Sequence, residues 1–314
     1  MRTAVVGVGY LGRFHAQKYA SLPTSRLVGI ADPSAAARAA LAAELGVATY
    51  ADYRELLGKV DAVSIVTPTP SHYEVAKAFL SAGASVLVEK PMTATIAEAE
   101  SLIELARRAD RILQVGHLER FNAVVQAVQP TLTVPRFIES ARLAPFKHRG
   151  TDVDVVLDLM IHDIDLILSI VRSPVVSVDA IGSSVFSKEI DIANARLRFA
   201  NGCVANATAS RVSLKTESKL RLFQDDAYIS IDLQQKILTV IRKGEGAGAD
   251  GMPQVAIEEK NYEQGDALKA EIAAFLDAAA NGSAPAVSGE DGLLALRTAV
   301  SINLQVASSQ RQFS

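Results

Sequence analysis

The chain has 314 residues, 49% hydrophobic and 21% charged, which suits a soluble globular enzyme and, by length, two domains. With 32 basic and 35 acidic residues it carries a formal charge of −3, aromatics are only 5% and Trp is absent, so nucleic-acid binding has neither an electrostatic nor a base-stacking basis. The single cysteine, Cys203, excludes an internal disulfide or a cysteine metal site and points to a reducing compartment. "MRTAVVGVGY" lacks the apolar core of a signal peptide and no segment reads as a membrane span, so a cytoplasmic location is expected.

In chain order, "TAVVGVGYLGRFHAQKYASL" gives a short β-branched run, then Gly7-x-Gly9-x-x-Gly12, then a helical pattern. The glycines alone are a weak signal. Their setting agrees with dinucleotide binding: a strand enters a tight turn, and the helix N-terminus offers free N–H groups and partial positive charge to a pyrophosphate. Tyr10 and Leu11 complete that loop. The next strand, "RLVGIAD", ends in Asp32, where a carboxylate accepts hydrogen bonds from ribose hydroxyls and repels a 2′-phosphate, so NAD is expected over NADP.

Strand and helix then alternate through "DAVSIVTPTP", "SHYEVAKAFLSAG", "ASVLVEKP", "TIAEAESLIELARRA" and "RILQVGH". Apolar strands separated by helices indicate a parallel sheet covered on both faces, with ligands beyond the carboxyl ends of its strands. Those ends are Thr67-Pro68, Glu89-Lys90-Pro91 and Gly116-His117, and His72 opens the helix after Thr67-Pro68. Thr67, Pro68, His72, Glu89, Lys90 and His117 thereby join the glycines as candidate cofactor contacts. Lys90 reads either as a solvated lysine at a strand end or as an ammonium beside a substrate hydroxyl. A dinucleotide-binding domain over 1–117 and a substrate and oligomerisation domain over 118–314 are expected.

Past His117, "ERFNAVVQAVQ" brings Arg120 and Asn122, and "RLAPFKHR" concentrates Arg142, Lys147, His148 and Arg149. Basic loop residues are commonly just solvated, yet arginine and lysine are the side chains that bind a diphosphate. Then "VLDLMIHDIDLIL", Val156 to Leu168, is apolar nearly all round except for Asp158, His162 and Asp165, which share one face at about 100° per residue. Burying such groups unpaired costs several kcal/mol, so the stripe should face a polar network or a wet cavity. An ion-paired structural helix is the alternative reading, and Asp163 lies off the stripe. A metal held by Asp158, His162 and Asp165 is not expected, because these ligands lie on one short stripe.

Two-residue alternation follows in "VVSVDAIGSSV", "NARLRFA", "CVANATASRVS", "KLRLFQ", "AYISIDL" and "KILTVIRK", with a hairpin signal at Asn201-Gly202. These runs predict an antiparallel sheet, with Cys203 as a strand residue. One apolar face without helical cover in sequence would pack on a second subunit, so a homo-oligomer is expected. "GEGAGADGMP" reads as a Gly-rich loop, and "GDALKAEIAAFLDAAANG" and "GEDGLLALRTAVSINLQVASS" as closing helices.

Together and in this order, "GVGYLGRFHA", "TPTPSHYEVA", "VEKP" and "DLMIHDID" resemble the Gfo/Idh/MocA family across the whole chain. The resemblance implies an α/β Rossmann domain followed by an α+β domain with a large, mostly antiparallel sheet. It implies that Lys90 is the shared lysine of Glu-Lys-Pro, and that Asp158 and His162 are the Asp-x-x-x-His pair facing nicotinamide and substrate. Within the family, "VGHLERFN", "RLAPFKHRGTDVDVVLDLMIHDIDL" and "DIANARLRFANGCVANATASRVS" look most like members that oxidise UDP-N-acetylglucosamine at C3 for the diamino sugar of lipid A, with an aminotransferase as possible downstream partner. Other members act on polyols, free sugars or other nucleotide sugars, and some are non-catalytic NAD-binding regulators.

The implied reaction turns a sugar ring hydroxyl into a ketone. His162 is the candidate base because an imidazole titrates near neutrality, with Asp158 orienting it or binding a sugar hydroxyl. Lys90 bonds the same oxygen or is itself the base. Arg120, Asn122, Arg142, Lys147, Arg149, Asp158 and His162 are the candidate substrate contacts.

Overall fold

The computed structural model describes residues 1–147, 153–247, 253–263 and 265–312. His148 and Arg149 of the basic segment, and 248–252 of the Gly-rich one, lie outside the described residues. The chain forms two compact units, Met1–Phe121 with Asp266–Leu293, and Asn122–Gly265 with Leu294–Ser314. The second unit therefore starts at Asn122, and Asp266–Leu293 returns to the first.

The first unit is a six-stranded parallel sheet of β1 (Arg2–Val6), β2 (Arg26–Ala31), β3 (Thr49–Tyr50), β4 (Ala62–Ile65), β5 (Ser85–Glu89) and β6 (Leu113–Gly116), in the order β3-β2-β1-β4-β5-β6. Strands β4, β5 and β6 are buried along nearly their whole length, as strands covered on both faces must be. The crossovers are α1 (Tyr10–Ser21), α2 (Ala35–Leu45), α3 (His72–Ser81) and α4 (Ile96–Ala109). A capping box starts α4: the Thr95 hydroxyl accepts from the Glu98 amide while the Glu98 carboxylate accepts from the Thr95 amide. The helix Ala267–Asn281 completes this core, setting Ile272, Phe275 and Leu276 among Val5, Tyr19, Ile30 and Leu87.

The second unit has α5 (Ala123–Val128), β7 (Phe137–Leu143), a π-helical turn at Val156–Met160, α6 (Ile161–Val171), and β8 (Val175–Ser183), β9 (Ile192–Phe199), β10 (Val204–Ser210), β11 (Glu217–Phe223), β12 (Ala227–Asp232), β13 (Ile237–Ala247) and β14 (Pro253–Asn261). The strand order is β14-β13-β12-β11-β7-β10-β9-β8, antiparallel except where β7 lies beside β10. Burial alternates along β9 and β12, the signature of one covered face. The hairpin at Asn201-Gly202 joins β9 to β10, with Gly202 at φ +88°. Cys203 lies in its turn just before β10, buried, with its thiol pKa pushed up to about 11 by that burial.

The covered face corrects one expectation. Ala195, Leu197, Ile229 and Ile231 of the sheet pack against Ile161, Ile164 and Ile167, and against Ala295, Ile302 and Val306 of the last helix. Helices of the same chain therefore cover the apolar face, and no second subunit is needed to bury it.

The position of α6 on this sheet also explains Asp163. Its carboxylate, 2% exposed, accepts from Arg142 Nε at 3.1–3.2 Å and Nη2 at 2.9 Å, a bidentate pair between α6 and β7. Breaking a buried pair from one side costs roughly 3–5 kcal/mol, because the other charge stays in a poor solvent. Arg142 keeps some contact with water, so Asp163→Asn is expected near the low end, about 3 kcal/mol. Urea unfolding measures this; a loss below about 0.5 kcal/mol would show that the pair does not anchor the helix.

Candidate active site

The glycine turn is fixed by contacts that admit no side chain. Gly7 has φ +84° and its amide donates to the Ala31 carbonyl at 2.8 Å; a Cβ there would stand 2.6 Å from the Val66 carbonyl oxygen. A Cβ on Gly12 would meet the Gly7 oxygen at 1.8 Å, whereas one on Gly9 would meet nothing within 4 Å. Two glycines thus close the turn on itself and on the end of β4, and the third leaves the approach to the start of α1 open. Tyr10 is exposed, and Leu11 is half-buried.

Asp32, at the end of β2, accepts from the Val8 amide at 2.9 Å with one oxygen and from the Ser34 amide at 2.8 Å with the other. The carboxylate expected to meet ribose therefore also pins the glycine turn. Arg38 of α2 donates to the Asp32 carbonyl, a contact that sequence reading missed. At the end of β4 the Thr67 hydroxyl oxygen is buried with no hydrogen-bond partner among the described residues, and Pro68 is exposed. Open space at Gly9, helix amides without a capping side chain, and this orphaned hydroxyl fit a dinucleotide lying over the switch point between β1 and β4.

At the end of β5, Glu89 accepts from His15 Nε2 at 3.1 Å, and His15 is fully buried on the inner face of α1. Burial opposes charge on Glu89, but His15 and the Lys90 ammonium hold its pKa below the ordinary carboxylate value. A Cβ on Gly116 would lie 2.9 Å from this carboxylate, so the neighbouring strand must end in glycine to admit it. His15 shares its helix face with Ala16 and Tyr19, an apolar context that hints at a partner without naming it. Lys90 itself is half-buried. His72 is 1% exposed, with Nδ1 at 2.9 Å from the Pro91 carbonyl and Nε2 at 2.7 Å from the Thr67 carbonyl, so its ring engages backbone. His117 is likewise buried, and Arg120 pairs with Asp291 at 3.4 Å.

In the second unit the acidic helix does not begin as the α-helix its spacing suggests. Asp158 lies in the π-helical turn and His162 in the first turn of α6. The wider turn advances each residue through a smaller angle, so residues four apart stand more nearly in line than an α-helix allows. Asp158 and His162 are half-buried while Met160, Ile161 and Ile164 are fully buried; Asp165, 1% exposed, does not share their access to solvent. The start of this helix is held by Asp154, whose carboxylate accepts from the Val156 and Leu157 amides at 2.9 Å and from Asn303 at 3.0 Å.

Of the other expected substrate contacts, Asn122 caps α5 and donates to the Leu233 carbonyl at 3.0 Å, and Arg142 is joined to Asp163. Both have structural partners that their sequence context did not disclose. Lys147 is exposed, and Arg149 lies outside the described residues. Among the described residues no three metal-ligating side chains are placed to hold an ion.

Residues 1–117 match the family model described as an oxidoreductase family with an NAD-binding Rossmann fold, and 126–230 match the GFO/IDH/MocA C-terminal domain. The chain is 41% identical over 307 residues to a UDP-N-acetylglucosamine 3-dehydrogenase of Acidithiobacillus ferrooxidans, covering 98% of this chain and 97% of that one. A solved structure of that enzyme superposes with a TM-score of 0.93 at 40% identity, over 98% of each chain. A myo-inositol 2-dehydrogenase of Thermotoga maritima is 28% identical, over 94% of this chain and 93% of its own. With the glycine turn, Asp32 and the Glu-Lys-Pro strand end all in place on one parallel sheet, the chain belongs to the Gfo/Idh/MocA family of NAD-dependent oxidoreductases.

Proposed function

We propose that the chain oxidises the C3 hydroxyl of UDP-N-acetylglucosamine to a ketone. The observation that carries this reading is the likeness to the Acidithiobacillus ferrooxidans enzyme along nearly the whole of both chains. NAD supplies the acceptor for the hydride that leaves the sugar carbon. The chain must then take the hydroxyl proton, stabilise the oxygen as charge develops on it, and hold the diphosphate.

His162 takes the proton, since a partly exposed imidazole is the side chain whose ordinary pKa lies nearest neutrality. Asp158, aligned with it by the π-helical turn, orients the ring and offsets the imidazolium charge. Lys90 donates to the same substrate oxygen and stabilises its developing negative charge. Lys147 is the described cation left for the diphosphate once Arg142 is assigned to Asp163. The ketone suits an aminotransferase, as in making the diamino sugar of lipid A, and such a reaction belongs in the cytoplasm; among the described residues no helix is long and apolar enough to cross a membrane. Exposed Val176 and Ile181 on β8 favour a homo-oligomer, formed by a second copy of this chain. Light scattering tests that, and a monomer at all concentrations would remove it. The likeness to an inositol dehydrogenase supports a polyol as the second reading.

The decisive measurement mixes the protein with NAD and UDP-N-acetylglucosamine, following reduced-nicotinamide absorbance and a sugar nucleotide lighter by two hydrogens. A parallel sample includes an amine donor and an aminotransferase to draw off the ketone. NAD binding without product in both samples would discard this substrate. His162→Ala is expected to lower turnover by about 10²-fold or more while sparing NAD affinity. Lys90→Met is expected to lose roughly 10²- to 10³-fold, as on removal of one oxyanion donor. Asp32→Ala is expected to weaken NAD about tenfold and admit NADP, with Arg38, which donates to the Asp32 carbonyl, near enough to meet the added phosphate. A variant still blind to NADP would place selectivity elsewhere.

A further inference from the structure

The two contacts of His72 pose a problem of hydrogen counting. Both ring nitrogens stand at hydrogen-bond distance from backbone carbonyls, Nδ1 at 2.9 Å from Pro91 and Nε2 at 2.7 Å from Thr67. A carbonyl only accepts. A neutral imidazole has one N–H, so whichever tautomer it adopts, the other nitrogen would turn a lone pair on a carbonyl lone pair at 2.7–2.9 Å. Only the imidazolium donates at both ends.

The surroundings supply a counter-charge. Burial is the largest influence on this imidazole and pulls its pKa below the ordinary histidine value, against the Thr67 and Pro91 carbonyls and the Glu89 carboxylate, which act in the opposite direction. The geometry demands the charged form nonetheless, because a buried ring set between two acceptors at these distances has no other way to satisfy both. Glu89 acts on His72 through its charge from the end of β5, and is itself bound by His15 from α1 and flanked by Lys90. On the ring's own helix, Glu74 and Lys77 are exposed.

The two carbonyls belong to turns that do different work. Thr67 ends β4 beside the glycine turn and carries the buried, unpartnered hydroxyl; Pro91 follows Lys90 at the end of β5. We propose that His72 is a positioning residue which, as an imidazolium, clamps the turn that receives the cofactor to the turn that carries Lys90. Both of its ring nitrogens are taken up by backbone carbonyls. Its effect passes through the backbone that sets where Thr67 and Lys90 stand, and a small misplacement of reacting groups is enough to cost about 10²-fold in rate.

Because the role toward Lys90 presupposes the reaction proposed above, the test begins with measurements that need no sugar. Nitrogen-15 spectra of the histidine-labelled protein should show one ring with both nitrogens protonated at pH 7.5, about a unit above the ordinary histidine pKa. That signal should vanish in His72→Gln. A neutral His72 ring at that pH overturns the proposal whether or not any variant folds. Calorimetry of NAD binding to His72→Phe, which fills the space without donating, should show affinity weakened roughly tenfold, the usual scale for a lost charged hydrogen bond. Unchanged NAD affinity in a folded His72→Phe also overturns it. Where the substrate is turned over, kcat should fall further than NAD affinity, and an alkaline limb set by loss of the imidazolium proton should be absent in His72→Gln. If no sugar nucleotide reacts, the spectra and the NAD affinity still decide.

Discussion

Buried carboxylates must find partners, and in this chain that requirement fixes how the elements meet. Glu89 meets His15 across 74 residues of sequence, Asp163 meets Arg142 across 21, and Asp191 meets Arg211 across 20. Each pair ties a strand or loop to an element packed against it. The last is the most completely satisfied: Asp191 accepts from the Val185, Phe186 and Ser187 amides, from the Ser187 hydroxyl and from Arg211. Burial opposes its charge, and these donors nonetheless drive its pKa far below the usual carboxylate range.

The same constraint separates what could be read in the sequence from what could not. Periodicity is local, so the buried runs of β4 and β5, the alternation along β9 and the turn at Asn201-Gly202 were all legible. The glycine spacing was legible too, because Gly7 and Gly12 meet within one turn. Pairing between distant residues leaves no local trace. Asp163 stood out as an acid off the stripe, yet nothing near it named Arg142, and Arg142 in turn looked available for a diphosphate.

Three other features were hidden from the sequence. An apolar sheet face with no adjacent helix in sequence seemed uncovered, but the cover comes from α6, which precedes most of the strands, and from the last helix, which follows them all. The π-helical turn at Val156–Met160 is invisible to apolar spacing because its side chains are as apolar as an α-helix would require. The return of Asp266–Leu293 to the first unit likewise rests on Ile272, Phe275 and Leu276, which any amphipathic helix would carry.

The groups proposed for chemistry differ from the paired ones in a consistent way. Lys90, Asp158 and His162 are half-buried, reaching solvent, while Asp163, Asp191 and Arg211 are buried. The helix that bears Asp158 shows why the sealed charges matter. Arg211, bound to Asp191, also donates to the Val153 carbonyl at 2.5 Å, and the next residue, Asp154, caps the helix start. A π-helical turn is a costly way to begin a helix, since it departs from the favoured hydrogen-bond ladder, and it persists only where its surroundings hold it. With the segment fixed at Val153 and Asp154, the extra residue of the π turn is absorbed ahead of α6. Asp158 and His162 are then set by buried charge rather than by the solvent-facing atoms that must stay free to meet a substrate.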